Sequence, residues 1–388
     1  MINLRSPHFV KVTIANLTAI EIELHVYGWD VANDKLTQTT DRGTAVYTLQ
    51  ANSTTDTTIT TYPFAAIDIS ELARDYIQST FDGTYTCTTL WIDYRVRNEI
   101  SGTFDAWAAQ PYVSVEAFDG YNYFEDGVSS STNVYTAPDI LQSNTTIYKH
   151  EDDVVRLPVL QTNVDNVTFL HDGVITNSVA ITATTESDAI IRYISNSGAS
   201  YDTFKARVAA DSGTLEEEAL MGVFNKYATQ PCNAIMVDIG GVYTKLEVKD
   251  ICSGKYEPYK VTFINKFGAL QDLWFFGVSK QTIMTKKDKY KANLLQYGSY
   301  STTAHQSKVL SNVGKETIRL NSGWYSEDNN EVFRQLFFTE SAWITMDGVV
   351  LPVNIASNDL ELKTSVNEKL INYTVDLEFA YDKINSVR

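Results

Sequence analysis

At 388 residues the chain exceeds the ~250–300 at which a single hydrophobic core stops growing, so two or three domains are expected. Hydrophobic residues at 44%, charged residues at 20%, and 23 Tyr with 17 Phe against 8 Pro exclude a disordered chain. The net charge of −17 is unevenly placed, with 8 basic and 18 acidic side chains in residues 1–150, 7 and 15 in 151–250, and 16 and 15 in 251–388. Nonspecific phosphate binding is therefore disfavoured in the first two-thirds, while the balanced last third suits packing against copies of itself.

The opening MINLRSPHFVKV lacks the apolar run of a signal peptide, and no later stretch approaches the ~18 uninterrupted apolar residues of a membrane span. Neither export by the general route nor a membrane partner is expected. Period-two alternation then predicts strands over Phe9–Ile14, Ile20–Val26, Ala45–Leu49 and Leu90–Val96. Between them Asp68 and Glu71 have the spacing of a capping box ahead of Leu72, Tyr76 and Ile77, which predicts one short helix. The Thr-rich run at 53–61 reads as a loop or edge strand. In 116–134 two Asp-Gly pairs mark turns and a Ser/Thr run reads as a connector, which places a boundary near Ser130.

Strands resume in VVRLPVL (154–160), VTFLHDGVITNSVAI (167–181) and DAIIRYIS (188–195), with His171-Asp172-Gly173 as a hairpin turn. Thr214 and Glu217 form a second capping box before Ala219, Leu220, Val223 and Phe224. From Val242 onward, YTKLEVKDI and YKVTFINKFG read as strands, and the adjacent Trp274, Phe275 and Phe276 require both faces of their segment to be covered. EVFRQLFF places Val332, Phe333, Leu336 and Phe337 on one helical stripe. A hairpin turning on Asp347-Gly348 follows, and strands around Leu360 and Tyr373 finish the sheet. The last of these alternates Ile371, Tyr373, Val375, Leu377 and Phe379 against polar residues. The expected fold is mainly β: two to three β-sandwich-like domains in tandem with a few short helices. The expected domains are an N-terminal one at 1–130, a middle one at 131–241 and a C-terminal assembly domain at 242–388.

The chain carries no G-x-S-x-G elbow, no phosphate-binding glycine loop and no zinc-ligand spacing, and its five histidines, His8, His25, His150, His171 and His305, have no local partner motif. Cys87, Cys232 and Cys252 form no CxxC pair and suggest neither a metal nor a disulfide framework. The reading is of a protein that is not an enzyme and uses no cofactor. Three features invite a functional role. Asp119 and Glu125 are carboxylates of the kind that hold Ca²⁺, and Tyr121 and Tyr123 are rings of the kind that stack a host surface glycan. A structural turn with core aromatics explains the same stretch, which lacks a D-x-[DN]-x-[DN]-G loop. The basic cluster of Lys286, Lys287, Lys289 and Lys291 suits a nucleic acid or an acidic neighbour, such as the first two-thirds of another copy, as well as a solvated face. Phe379 and Tyr381 are expected at or near a packed face that fixes the assembly domain.

Several stretches together carry a family likeness: RSPHFVKVTIANLTAIEIEL (5–24), DISELARDYI (68–77), AFDGYNYFEDG (117–127), FINKFGALQDLWFFG (263–277), Gly323-Trp324-Tyr325-Ser326-Glu327 ahead of EVFRQLFF, and LPVNI with the ending LKTSVNEKLINYTVDLEFAYDKINSVR (362–388). They resemble structural proteins of tailed bacteriophages that infect Bacteroidetes hosts, including marine flavobacteria. The resemblance covers most of 1–130 and 255–388 and is a likeness of packing signatures. It implies a virion component of the tail, baseplate or neck, made in the host bacterial cytoplasm and used in multiple copies. A homo-oligomeric ring (a hexamer or trimer), neighbouring tail or neck proteins and no sequence-specific nucleic acid are the partners it implies. A receptor-binding protein gripping host glycans through Tyr121 and Tyr123 is the alternative.

Overall fold

The computed structural model describes residues 1–28, 47–56, 61–77, 80–85, 90–133, 135–150, 153–160, 164–181, 191–196, 232–251, 255–295, 297–357, 359–362 and 370–383. The chain is mainly β and divides into two units. The first comprises 1–251 and 263–271, the second 252–262 and 272–388. The predicted helix over 214–224, Ala45 and Val46, the Thr-rich residues 57–60, Cys87 and Cys252 lie outside the described residues.

The first unit opens on a two-sheet sandwich. One sheet has the order Ile2–Asn3, Val113–Phe118, Leu90–Ile100, Leu17–Gly28, Tyr47–Asn52, with Thr103–Phe104 paired to Leu90–Ile100. The other is Phe64–Asp68, His8–Thr13 and Ser129–Ser130. Alternation explains both faces of the long central strand. Ile20, Ile22 and Leu24 are fully buried and pack with Val10, Ala65 and Ile69. On the opposite face Glu21 and Glu23 stand directly across from Arg97 and Arg95 and form ion pairs with them, and the Arg95 guanidinium lies 4.9 Å from the Trp107 ring centre. Such cross-strand pairs contribute roughly 0.2–1 kcal/mol each.

A helix, α1 (Ser70–Arg74), follows the strand Phe64–Asp68, but the predicted capping box is not what starts it. Asp68 lies one residue before the N-cap, and its Oδ1 accepts the Ser70 N–H at 3.0 Å, the Ser70 hydroxyl at 2.7 Å and the His8 N–H at 3.1 Å. The carboxylate thus ties the helix start to the neighbouring strand.

His8 is 2% exposed and bonded through Nδ1 to the Ser129 hydroxyl at 2.8 Å. Burial, then the N-terminal charge, pushes its imidazole from 6.5 down to about 4 despite Asp68. The folded protein therefore holds His8 neutral where an unfolded chain protonates it. Stability is fully present above pH ~6.5 and declines as pH falls toward 4, by about 3 kcal/mol from this residue. Denaturant unfolding between pH 7 and 4 should show that slope, and His8→Gln should flatten it; equal slopes in the two proteins would contradict the assignment.

The middle sheet runs Thr146–His150, Val242–Ile251, Ala234–Ile239, Val164–His171, Val174–Ala180. It is covered by the antiparallel pair Arg156–Leu160 and Ile191–Ser195. The Asp172-Gly173 turn has φ of 49° and 80°, as a two-residue hairpin of type I′ requires.

Neither predicted boundary is a linker. Gly240-Gly241, with φ of 58° and 84°, is the turn of the hairpin formed by Ala234–Ile239 and Val242–Ile251. Ser130 belongs to a strand paired parallel to His8–Phe9, and Phe118, Ala137, Leu141, Leu160 and Ala269 share one buried cluster across that position.

A seven-stranded sheet has the order Leu270–Phe275, Tyr259–Ile264, Ala342–Met346, Val349–Ile355, Thr374–Phe379, Ser307–Asn321, Ser279–Lys291. The predicted Asp347-Gly348 hairpin forms, with φ of 51° and 75°. No strand forms at 359–362. The last strand, Thr374–Phe379, does not close an edge. It pairs antiparallel with Thr317–Asn321 on one side and Val353–Ile355 on the other, joining two halves of the sheet. The helix α2 (Asn330–Phe338) buries Val332, Phe333 and Leu336 as predicted. Gln335, bonded to Glu331, takes a buried place, whereas Phe337 is half-buried. Phe275 is 1% exposed between the half-buried Trp274 and Phe276, which covers both faces of that strand.

Candidate functional site

The predicted ligand loop is a latch in the first unit. Asp119 and Tyr121 are 8% and 7% exposed. The Arg5 guanidinium sits 4.8 Å from the Tyr121 ring centre, and Tyr123 meets that ring edge-on at 5.6 Å. Lys266, from the turn at 265–269, accepts the Tyr121 N–H on its carbonyl at 2.9 Å. Its ammonium lies 4.4 Å from the Tyr123 ring centre and 3.0 Å from Asp126. Against the burial that would raise it, the Lys266 ammonium and the Tyr123 N–H hold the Asp126 carboxyl below its ordinary range.

Tyr121 is enclosed, and Lys266 takes a face of the half-buried Tyr123. Glu125 stands in solvent beside Phe124, which is 99% exposed, while Asp119 is buried, so the two carboxylates do not converge. Among the described residues no three His, Cys, Asp or Glu side chains gather as a metal site would need.

The latch depends on close backbone approach at Gly120. A Cβ there would meet Asn3 Oδ1 and the Lys266 carbonyl, each at 2.6 Å. Gly120→Ala should lower stability by about 3 kcal/mol, because the carbonyl is backbone and cannot rotate away. Urea unfolding followed by circular dichroism tests this, and an unchanged midpoint would mean that the loop yields.

The predicted basic cluster lies on a feature that period-two reading missed. Ser279–Lys291 and Ser307–Asn321 form a long antiparallel ribbon. The third strand supports it only as far as Thr317, and the Lys383 N–H adds a last bond to the Gly314 carbonyl at 2.8 Å. From Lys286 and Val313 outward the ribbon has two strands, reaching roughly 20 Å at ~3.3 Å per residue before the 292–306 turn. Both of its faces are in solvent.

Five lysines (Lys286, Lys287, Lys289, Lys291 and Lys308) stand there against one carboxylate, Asp288, which accepts a bond from the Ser311 hydroxyl at 2.8 Å. None of the five has an ion-pair partner among the described residues. Large apolar side chains stand among them: Tyr290 is 46% exposed, Val309 51%, Leu310 70%, and in the turn Leu295 65% and Tyr297 105%.

Phe379, expected at a packed face, is 4% exposed inside the sheet and is core. Tyr381, its ring tilted 54° to that of Phe379 with centres 5.6 Å apart, is 38% exposed. Cys232 is buried, and burial pushes its thiol up to about 12, which leaves it protonated and unreactive. A groove of about 570 Å³ on the middle sheet is lined by Leu170, Asp172, Met236, Lys245, Glu247 and Lys249. No described helix is long and apolar enough to cross a membrane.

Fold and side chains together define a mainly β, multi-sheet protein that presents a basic, apolar-studded ribbon. Comparison with known proteins finds no family model and no curated protein that matches the chain.

Proposed function

We propose that the protein is a structural component of a tailed-phage virion, in the tail, baseplate or neck, where copies assemble into a ring or collar through the last third of the chain. The ribbon carries this reading. A two-stranded hairpin is marginally stable by itself in water, and this one exposes large apolar side chains between lysines that have no ion-pair partner among the described residues. Such a surface gains most from being covered by another protein. The sequence resemblance supports the same setting and suggests neighbouring virion proteins as further partners. Receptor binding through Tyr121 and Tyr123 loses its support, because those rings serve the latch.

Light scattering across concentration and salt, followed by electron microscopy, tests the proposal. A discrete trimer, hexamer or larger ring is the expected result, and a monomer under every condition would overturn self-assembly.

A further inference from the structure

We propose that the free ribbon of one copy, from Lys286 to Val313, docks on the acidic first unit of a second copy of this chain. The inference rests on the assembly reading above and names the surfaces that meet. Charge is the first ground. The free ribbon holds five lysines and one carboxylate, whereas residues 1–250 hold 33 carboxylates and 15 basic side chains. In a chain of net charge −17 the ribbon is a local cationic element, and the complementary field lies on the same polypeptide.

Apolar exposure is the second ground, and it selects protein over nucleic acid. Phosphates would neutralise the lysines but leave Val309, Leu310 and Tyr297 in water, since phosphate and sugar contacts are made by cationic and polar groups. A protein surface covers both kinds of side chain. The ladder register puts Lys287, Lys289 and Val309 on one face and Lys286, Tyr290 and Lys308 on the other, so each face mixes charge with apolar area. Ribbon and acceptor are different surfaces, so the contact is heterologous and repeats from copy to copy, closing into a ring when the rotation allows.

The test compares the wild-type protein with a Lys286→Glu/Lys287→Glu/Lys289→Glu variant by light scattering. Alongside it, isotopically light and heavy copies are mixed and joined by zero-length carbodiimide crosslinking. The wild type should associate more weakly as salt rises, and the variant should lose at least tenfold in association. Crosslinks should join ribbon lysines of one copy to carboxylates within 1–250 of the other. A Val309→Ser/Leu310→Ser pair should weaken association too, and it keeps the test decisive if the triple variant misfolds. Full assembly by both variants, or inter-copy crosslinks confined to 251–388, would overturn the docking while leaving assembly itself intact. A wild type that stays monomeric throughout would overturn both. Random-sequence duplex DNA retained by the wild type and lost by the variant, without inter-copy crosslinks, would make nucleic acid the occupant and overturn the proposal.

Discussion

A chain ending at Leu370 will fail to fold its second unit. The deletion removes Ile371, Tyr373, Val375, Leu377 and Phe379, each between 0% and 4% exposed. At ~1.5–3 kcal/mol for each large buried side chain the lost burial is about 10 kcal/mol, comparable to the ~5–15 kcal/mol that holds a whole domain together. Position makes the loss worse. The strand Thr374–Phe379 stands between the ribbon strand and the 342–355 hairpin, so its removal opens the sheet in the middle. The cut also strips Asp376 from the two bonds donated by Arg319, at 2.6 and 2.8 Å, and takes away the Tyr373 hydroxyl that bonds to Asn330 at 2.6 Å. Hydrogen exchange should find the amides of 317–321 and 342–355 unprotected in the truncated chain. Protection equal to the full chain would show that the two halves hold without it.

Phe333→Ala should destabilise the same unit by about 3–5 kcal/mol, the range for removing a buried phenylalanine. Phe333 is fully buried at the centre of an aromatic group. Its ring centre is 4.7 Å from that of Tyr373, 5.4 Å from Tyr325 edge-on and 6.3 Å from Phe275. Tyr325 in turn bonds the edge of the strand Leu270–Phe275, its hydroxyl donating to the Trp274 carbonyl at 2.6 Å. The cavity therefore loosens a helix, a strand edge and the last strand together. Phe333→Leu, which keeps most of the volume, should lose much less. Urea midpoints read by tryptophan fluorescence decide it, and an alanine variant within about 1 kcal/mol of the parent, on the scale of a surface change, would show that the group repacks.

Where one face is buried and the other wet, the sequence announces its strands, as at Ile20–Leu24 and Val375–Phe379. The Asp172-Gly173 and Asp347-Gly348 turns were equally legible, because both residues need a positive φ that few pairs adopt readily. The ribbon was hidden for the converse reason. In Lys286-Lys287-Asp288-Lys289-Tyr290-Lys291 both faces meet solvent, so no alternation remains to be read. Burial of Asp119 and Tyr121 was hidden too, since it depends on Arg5 and Lys266, both more than a hundred residues distant in sequence. Strand order escaped for the same reason. Ile2–Asn3 pairs with Ala117–Phe118, and no local pattern encodes that partner.

The segment 263–271 has a bearing on the order of synthesis. Asn265 is fully buried, donates to the Leu141 carbonyl at 2.7 Å and accepts the Ala269 N–H at 3.1 Å, while Ala269 packs with Phe118 and Leu141. These contacts belong to the unit that otherwise ends at Ile251. As the chain leaves the ribosome, everything up to Ile251 emerges with a piece of its interior still untranslated. A fragment cut there for expression would carry the same gap, and a fragment extended to Gln271 is the shortest that brings its own plug.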